Sequence, residues 1–184
     1  MIRTMLARVT LVTFAALAMT ATADAQANSP EIRRQGFWFS GGLGAGSLGS
    51  TDCSSCDRTN GLSGGLSLGG TISPRVLLGV GTTGWSKIVD GTTLTVGTLD
   101  ARLRLYPSLT NGFFVTVGVG LGSISGSFDG DTESVTGTGA VLGVGVDIPV
   151  GRRTSITPFL NGVGVSASGG NLNFGQLGLA ITLH

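Results

Sequence analysis

The chain has 184 residues and a net charge of +1, and only 11% of its residues are charged, against roughly 25% in typical soluble domains. A net charge so near zero gives no reason to expect a nucleic acid or an acidic substrate as a partner. The 41% hydrophobic content, combined with so little charge, also excludes an intrinsically disordered chain.

The first 25 residues have the pattern of a secretory signal peptide. Arg3 and Arg8 are followed by an apolar run over 9–19 and then by the small residues Ala23-Asp24-Ala25, which together give the basic start, apolar stretch and A-x-A site of such peptides. The apolar run is shorter than the roughly 20 residues that a membrane-spanning helix needs. We therefore expect cleavage after Ala25, an N-terminal segment at 26–35 and one domain at 36–184.

Period-two alternation of apolar and polar residues, typical of β-strands, recurs in eight runs of this domain. The runs cover residues 36–47, 61–73, 75–86, 94–106, 112–124, 135–148, 154–166 and 174–183. In the seventh run the apolar phase changes around Pro158. Because proline cannot donate a hydrogen bond to a β-ladder, we expect a bulge there.

The connections between the runs alternate in length. Short proline-containing turns lie at 73–75, 107–111 and 149–153, and longer polar, glycine-rich loops lie at 48–60, 87–93, 125–134 and 167–173. The chain is therefore predicted to be an all-β, eight-stranded antiparallel up-and-down barrel, and eight is the smallest usual strand number of membrane barrels.

The stretch LDARLRLY at 99–106 shows which face of the strands meets which surroundings. Leu99, Ala101, Leu103 and Leu105 alternate with charged residues, and elsewhere the charged phase consists largely of Gly, Ser and Thr. Such a glycine-rich face would make a poorly solvated outer surface, but it suits a narrow lumen filled by side chains. We expect the leucines to face lipid and a polar cluster to line the lumen, formed by Asp100, Arg102, Arg104, Asp147 and Gln176.

Aromatic residues concentrate at one level of the predicted barrel, next to the short turns. We expect them to form an interfacial girdle of Phe37, Phe39, Tyr106, Phe113 and Phe159. Trp85 and Phe174 are expected at the opposite rim.

The alternation along the mature chain and the final strand GQLGLAITLH resemble the small eight-stranded outer-membrane barrels of the OmpA transmembrane-domain and OmpX group, porin-like outer membrane protein beta-barrel domains. The resemblance implies export through the general secretory pathway, a Gram-negative outer-membrane location and a periplasmic segment at 26–35. It also implies contact with outer-membrane lipid and lipopolysaccharide, handling by the barrel-assembly machinery and a monomeric state. Members of this family end in an aromatic residue in phase with the lipid-facing positions, whereas this chain ends in His184, out of phase with Leu183.

Three short motifs resemble binding sites. GVGTTG at 79–84 matches a dinucleotide fingerprint, but no helical pattern follows it, as such a site requires. Cys53 and Cys56 fit a redox centre, half of a zinc site or a loop disulfide, and the disulfide is favoured in an exported protein.

The third motif, FDGDTES, places Asp129, Asp131 and Glu133 at alternate positions. These carboxylates suit a calcium or magnesium ion, or a cation bridge to lipopolysaccharide phosphates, but the six to eight oxygen ligands of a calcium cage are not visible. We expect a solvated acidic loop, and no cofactor or metal.

The function inferred from the sequence is a structural or surface-interaction role through four extracellular loops. Arg104 and Asp147 are expected to meet across the lumen and plug it, because buried charges need partners, with Arg102 and Asp100 one step higher. The alternative is a narrow porin that passes ions or small solutes. A lipid-modifying enzyme ranks third, since the single histidine, His184, cannot join a Ser/His/acid set at the outer leaflet.

Overall fold

The computed structural model describes residues 34–52, 56–89, 91–128, 131–168 and 170–184. The predicted signal peptide at 1–25 and all but the last two residues of the segment 26–35 lie outside these ranges. In the ranges that are described, no helix has the length and hydropathy needed to cross a membrane.

Nine strands follow one another along the described part of the chain. They are β1 (Phe37–Ser50), β2 (Thr59–Ser73), β3 (Val76–Val89), β4 (Thr92–Leu105), β5 (Phe113–Phe128), β6 (Asp131–Val146), β7 (Ile148–Pro149), β8 (Thr154–Ala167) and β9 (Gly170–Leu183). The two-residue strand β7 continues β6 in line, because both pair with β8. The eight long strands correspond to the eight runs of alternating sequence.

The strands form one closed antiparallel barrel. Each long strand pairs with its neighbours in sequence, and β1 pairs with β9 while β6 pairs with β8, so none of the described long strands has a free edge. Closure satisfies the backbone hydrogen bonds within the protein, as a bilayer demands. The predicted fold class is confirmed.

The two ends of the barrel differ in their connections. At one end, the proline end, the strands are joined through 74–75, 106–112 and 150–153; at the other, the loop end, through 51–58, 90–91, 129–130 and 168–169. The prediction of long loops is therefore wrong at three of the four places, because most of the residues in 87–93, 125–134 and 167–173 belong to strands. The bounds of the described strands leave eight residues between Ser50 and Thr59, and two residues in each of the other connections at this end.

The bulge predicted at Pro158 is also wrong. Strand β8 keeps one register throughout, with Gly145 opposite Phe159 and Ile148 opposite Ile156. The irregularity lies instead in the neighbouring strand, which is interrupted at Asp147 between β6 and β7. Pro158 of β8 has no N–H to donate to this strand, and the Asp147 N–H donates to the Gly112 carbonyl at 2.9 Å. The phase of β8 is therefore constant, with Ile156 exposed and Val163 and Val165 buried.

The two faces of the wall are inverted relative to a soluble barrel. Leu99 and Leu105 of the opening stretch are exposed on the outside, whereas Asp100, Arg102 and Arg104 are at most 6% exposed inside. The outer apolar side chains form a belt on every long strand, with members such as Leu43, Leu66, Leu78, Val119, Leu142, Leu160 and Leu179. The predicted outward-facing leucines and inward-facing charges are thus what the barrel shows.

Candidate functional site in the barrel lumen

Three layers of side chains fill the lumen, and the middle layer is polar. Its centre is a bidentate ion pair in which Arg102 Nε donates to Asp100 Oδ1 at 2.9 Å and Arg102 Nη2 donates to Asp100 Oδ2 at 2.8 Å. Thr98 donates to the same carboxylate at 3.1 Å, and the Arg102 guanidinium also donates to Thr83 at 2.8 Å. Both charges are thereby partnered within the lumen, as burial requires.

Two glycines make room for this ion pair. Gly81 lies opposite Asp100 on β3 and Gly118 lies opposite Arg102 on β5. A methyl group at Gly81 would overlap the Arg102 guanidinium, and one at Gly118 would overlap the Asp100 carboxylate. The glycine-rich phase of the sequence therefore has a packing function, since it leaves space for large neighbours.

A second polar network runs from the middle of the lumen to the proline end. Asp147 accepts hydrogen bonds from Tyr106 at 2.6 Å and Thr157 at 2.7 Å, and its Oδ2 lies 3.2 Å from His184 Nε2. Thr157 continues the network to Thr182 at 2.9 Å, which contacts Ser40 at 2.9 Å. His184 is thus a lumen residue. The sequence indicates this position, because His184 alternates with the outward-facing Leu183 and therefore belongs to the inward-facing phase of β9.

Arg104 does not form the predicted contact with Asp147. Among the described residues no hydrogen bond or ion pair joins the two side chains, and the Arg104 guanidinium carbon lies 4.2 Å from the Phe114 ring centre and 4.9 Å from that of Trp38. Arg104 is 5% exposed, and its Nε and Nη1 have no hydrogen-bond partner in the described part of the chain. Aromatic faces therefore surround a buried cation that has no carboxylate within salt-bridge distance in the described part of the chain.

The layer at the proline end is aromatic. Trp38, Leu77, Tyr106 and Phe114 form a buried cluster there, with Arg34 stacked 3.8 Å above the Tyr106 ring centre. The predicted girdle is wrong for Tyr106, which is 1% exposed and bonded to Asp147, and for Phe159, which lines the lumen. Phe37 and Phe113 point outward, with exposures of 65% and 38%, and Phe39 shares their phase and is half-buried.

The layer at the loop end is apolar, which the alternation did not predict. Its members are Leu48, Trp85, Val96, Val141, Val163, Val165 and Phe174. Trp85 donates to the Gly46 carbonyl at 3.1 Å. The expectation that Trp85 and Phe174 mark an outer rim is therefore wrong, because both are 1% exposed inside the barrel. The signal available in sequence was their phase, which they share with the lumen residues of β3 and β9.

Between the apolar and aromatic layers lies a polar cavity of about 40 Å³. Arg102, Arg104 and Gln176 contribute to its lining, and Gln176 is 2% exposed, with an Oε1 that has no partner among the described residues. A water molecule needs about 10–15 Å³ in such a cavity. The space is therefore enough for a few water molecules. All five predicted lumen residues are buried inside the barrel.

The first loop is tied to the last hairpin at the loop end. Asn171 donates from its backbone to Asp52 at 2.8 Å and from its side chain at 3.1 Å. These two hydrogen bonds lower the pKa of the Asp52 carboxyl below its ordinary value of 3.8. Arg58 donates to Asn173 Oδ1 at 2.8 Å and to the Ser47 carbonyl. The loop is therefore held against the barrel on both sides.

The remaining predicted motifs lie at the same end. Cys56 is disulfide-bonded, while Cys53 lies outside the described residues, so their pairing stays a prediction. Asp131 and Glu133 are exposed, and Asp129 lies outside the described residues. The described residues include no group of three or more His, Cys, Asp or Glu side chains placed to hold a metal ion. GVGTTG lies entirely within β3, without the helix that a dinucleotide site requires.

Comparison with known proteins agrees with this geometry. Residues 12–184 match the family described as outer membrane protein beta-barrel domain. No match was found among curated protein sequences.

Two solved structures resemble the barrel closely in fold. Neisserial surface protein A, NspA, shares 15% identity with a TM-score of 0.67, over 80% of this chain and 96% of that one. Ail, the attachment invasion locus protein of Yersinia pestis, in complex with the heparin analogue sucrose octasulfate, shares 9% identity with a TM-score of 0.56, over 81% of this chain and 99% of that one. At these identities the likeness shows the fold alone.

Proposed function

Because the chain belongs to the outer membrane protein beta-barrel domain family, we propose that it is a non-conducting barrel with a structural or surface-interaction role. The outer face supports a bilayer environment, since exposed leucines and valines form an apolar belt, in which no charged side chain lies among the described residues. Export through the secretory pathway and assembly by the barrel-assembly machinery are parts of the same proposal. The proposal also includes a monomeric state, in which the apolar belt contacts outer-membrane lipid and lipopolysaccharide.

The observation that carries the non-conducting role is the filled lumen. The apolar layer around Trp85 and the aromatic layer around Trp38 lie on either side of a cavity of only about 40 Å³. An ion that crossed would have to displace both layers. The narrow porin remains the alternative, and no catalytic role is proposed.

The surface role belongs to the loop end, which we place outside the cell. The described residues there include four carboxylates, Asp52, Asp57, Asp131 and Glu133, and two cations, Arg58 and Lys87. The Arg58 guanidinium is already bonded to Ser47 and Asn173. The structurally similar protein Ail was solved with a sulfated heparin analogue. In this chain, however, the excess of carboxylates over cations among the described residues of the loop end favours a partner that is not a polyanion.

Single-channel conductance of refolded residues 26–184 in a planar bilayer tests the non-conducting role. We expect no discrete openings from protein whose gel mobility shifts on boiling, which indicates a folded barrel. Reproducible openings from such protein would replace the proposal with the porin. The folded fraction is the control, because unfolded protein is also silent.

Cysteine labelling on intact cells tests the orientation. Ile88 is 72% exposed near the tip of the β3–β4 hairpin, and Arg152 is exposed at the proline end. A membrane-impermeant maleimide is expected to label Ile88→Cys and to leave Arg152→Cys unlabelled until the outer membrane is permeabilised. The reverse pattern would contradict a surface role of the loop end.

A further inference from the structure

Two positively charged side chains border the lumen cavity, and Asp100, the carboxylate paired with one of them, does not itself line it. Arg102 and Arg104 both border it, together with hydroxyl and amide side chains such as Thr116, Asn161 and Gln176. None of the described residues that line it is acidic. Such a lining offers hydrogen-bond donors and a positive potential to whatever occupies the space.

The nearby carboxylates are engaged elsewhere. Asp100 receives two hydrogen bonds from Arg102 and one from Thr98. Asp147 is close enough to Arg104 to interact electrostatically, but its oxygens contact Tyr106, Thr157 and His184. The hydrogen-bonding capacity of Arg104 is therefore left unused by the acids around it.

The charge balance of the buried groups points the same way. Three buried arginines, Arg34, Arg102 and Arg104, accompany two buried aspartates, Asp100 and Asp147, in the described barrel. Arg104 is 5% exposed, with Nε and Nη1 unpartnered among the described residues. Buried donors without an acceptor are costly, and Asp147 interacts with Arg104 without a hydrogen bond between their side chains, so one small anion would supply the missing acceptor.

We propose that this cavity binds one chloride-sized monovalent anion, with Arg104 as its principal ligand. The volume of about 40 Å³ is roughly three times the 10–15 Å³ that a water molecule needs, which accommodates such an ion together with a water molecule. The amides of Asn161 and Gln176 and the Thr116 hydroxyl supply further donors from three other strands. The bound ion joins these strands at the centre of the barrel and thereby stabilises the fold.

Equilibrium unfolding by urea in lipid vesicles tests the proposal. Chloride is varied against gluconate at constant ionic strength, because gluconate is too large for the cavity. When a ligand binds only the folded state and nearly saturates it, the unfolding constant becomes inversely proportional to the ligand concentration. We therefore expect the logarithm of that constant to fall with the logarithm of chloride concentration, with a slope approaching one. A wild-type barrel insensitive to chloride would overturn the proposal.

Substitution assigns the effect to the cavity. Arg104→Gln is expected to reduce the slope to zero, whereas Arg152→Gln, at an exposed position of the proline end, keeps the wild-type slope. A slope that persists in Arg104→Gln would show that chloride acts elsewhere.

Diffraction at the bromine absorption edge gives a test that needs no variant. Crystals of the wild-type barrel refolded and grown in sodium bromide are expected to show one anomalous peak within hydrogen-bond distance of the Arg104 guanidinium. Density for water alone in the cavity would overturn the proposal, even if Arg104→Gln does not fold.

Discussion

At the residue scale, the Asp100–Arg102 ion pair is expected to have a large effect on stability. Asp100→Asn leaves the Arg102 guanidinium buried without a counter-charge, and breaking a buried pair from one side costs about 3–5 kcal/mol. We expect a decrease of that size in the free energy of unfolding, measured by urea titration in lipid vesicles. Asp131→Asn, at an exposed position, is the control, with an expected change within about 0.5 kcal/mol. Equal small losses in both variants would contradict a structural ion pair.

Glycines of one strand provide a second residue-level prediction. Gly81→Ala places a methyl group against the Arg102 guanidinium, which three hydrogen bonds hold in place, and overpacking of this kind costs about 1–3 kcal/mol. Gly84→Ala, three residues along β3, meets nothing closer than the Val96 carbonyl at 4.0 Å. We expect it to be neutral within about 0.5 kcal/mol in the same urea titration. A larger loss for Gly84→Ala than for Gly81→Ala would contradict this account of the lumen.

Which face a residue occupies was predictable from its phase, but its partner was not. Phase alone places Asp100, Arg102, Arg104, Asp147 and Gln176 in the lumen. The level of Tyr106 and Phe159 along the barrel predicts an outer girdle, whereas their phase, which they share with Arg104 and Val163 respectively, predicts the lumen position that the structure shows. The contact of Arg104 on β4 with Trp38 on β1 joins strands that are not neighbours, and strand alternation contains no information about which residues meet across a lumen.

Among the elements, the first loop is the one whose contact with the barrel depends on pH. Hydrogen bonds from Asn171 lower the pKa of Asp52 below 3.8. The stabilisation is therefore complete above the ordinary carboxyl pKa and is lost as pH falls through the lowered folded value. We expect the hydrogen-exchange protection of the Asn171 amide, measured by NMR, to decrease over that acid range.

The matched variant for this contact is Asp52→Asn. It lacks the titrating carboxyl, so the protection of the Asn171 amide should be weak and independent of pH. Asp57→Asn changes a carboxylate of the same loop that has no hydrogen bond to Asn171 within the described structure and should behave like the wild type. An acid transition that persists in Asp52→Asn would assign it to another group.

The number of strands was predictable at the element scale, but the length of the loop-end connections was not. Hydrophobic alternation ends where the outer face becomes polar, as at Ser123 and Ser125 of β5, whereas the backbone ladder continues to Phe128. Serine, threonine and glycine in these segments resemble loop residues because no apolar side chain reveals their alternation. Strands that extend beyond an apolar belt are therefore interpreted as loops from sequence alone.

At the scale of the whole molecule, two clusters of buried hydrophobic side chains, the apolar layer and the aromatic layer, lie in series along the described lumen. The apolar layer was not foreseen, because Val96, Val141 and Val163 occupy the phase that is polar elsewhere, and a local apolar cluster inside a polar lumen leaves only weak alternation. Layers in series have a specific consequence for transport, since removing one still leaves the other as a barrier.

This consequence is testable with the two tryptophans of the chain. Trp85 belongs to the apolar layer and Trp38 to the aromatic layer. We expect Trp85→Ala and Trp38→Ala each to remain silent in planar bilayers, and the double variant to show discrete openings through the joined cavity. Each substitution is expected to cost about 3–5 kcal/mol, so a gel shift on boiling must first show that all three variants fold. Openings in either single variant would mean that only one layer closes the lumen, and silence of the folded double variant would mean that the polar layer closes it as well.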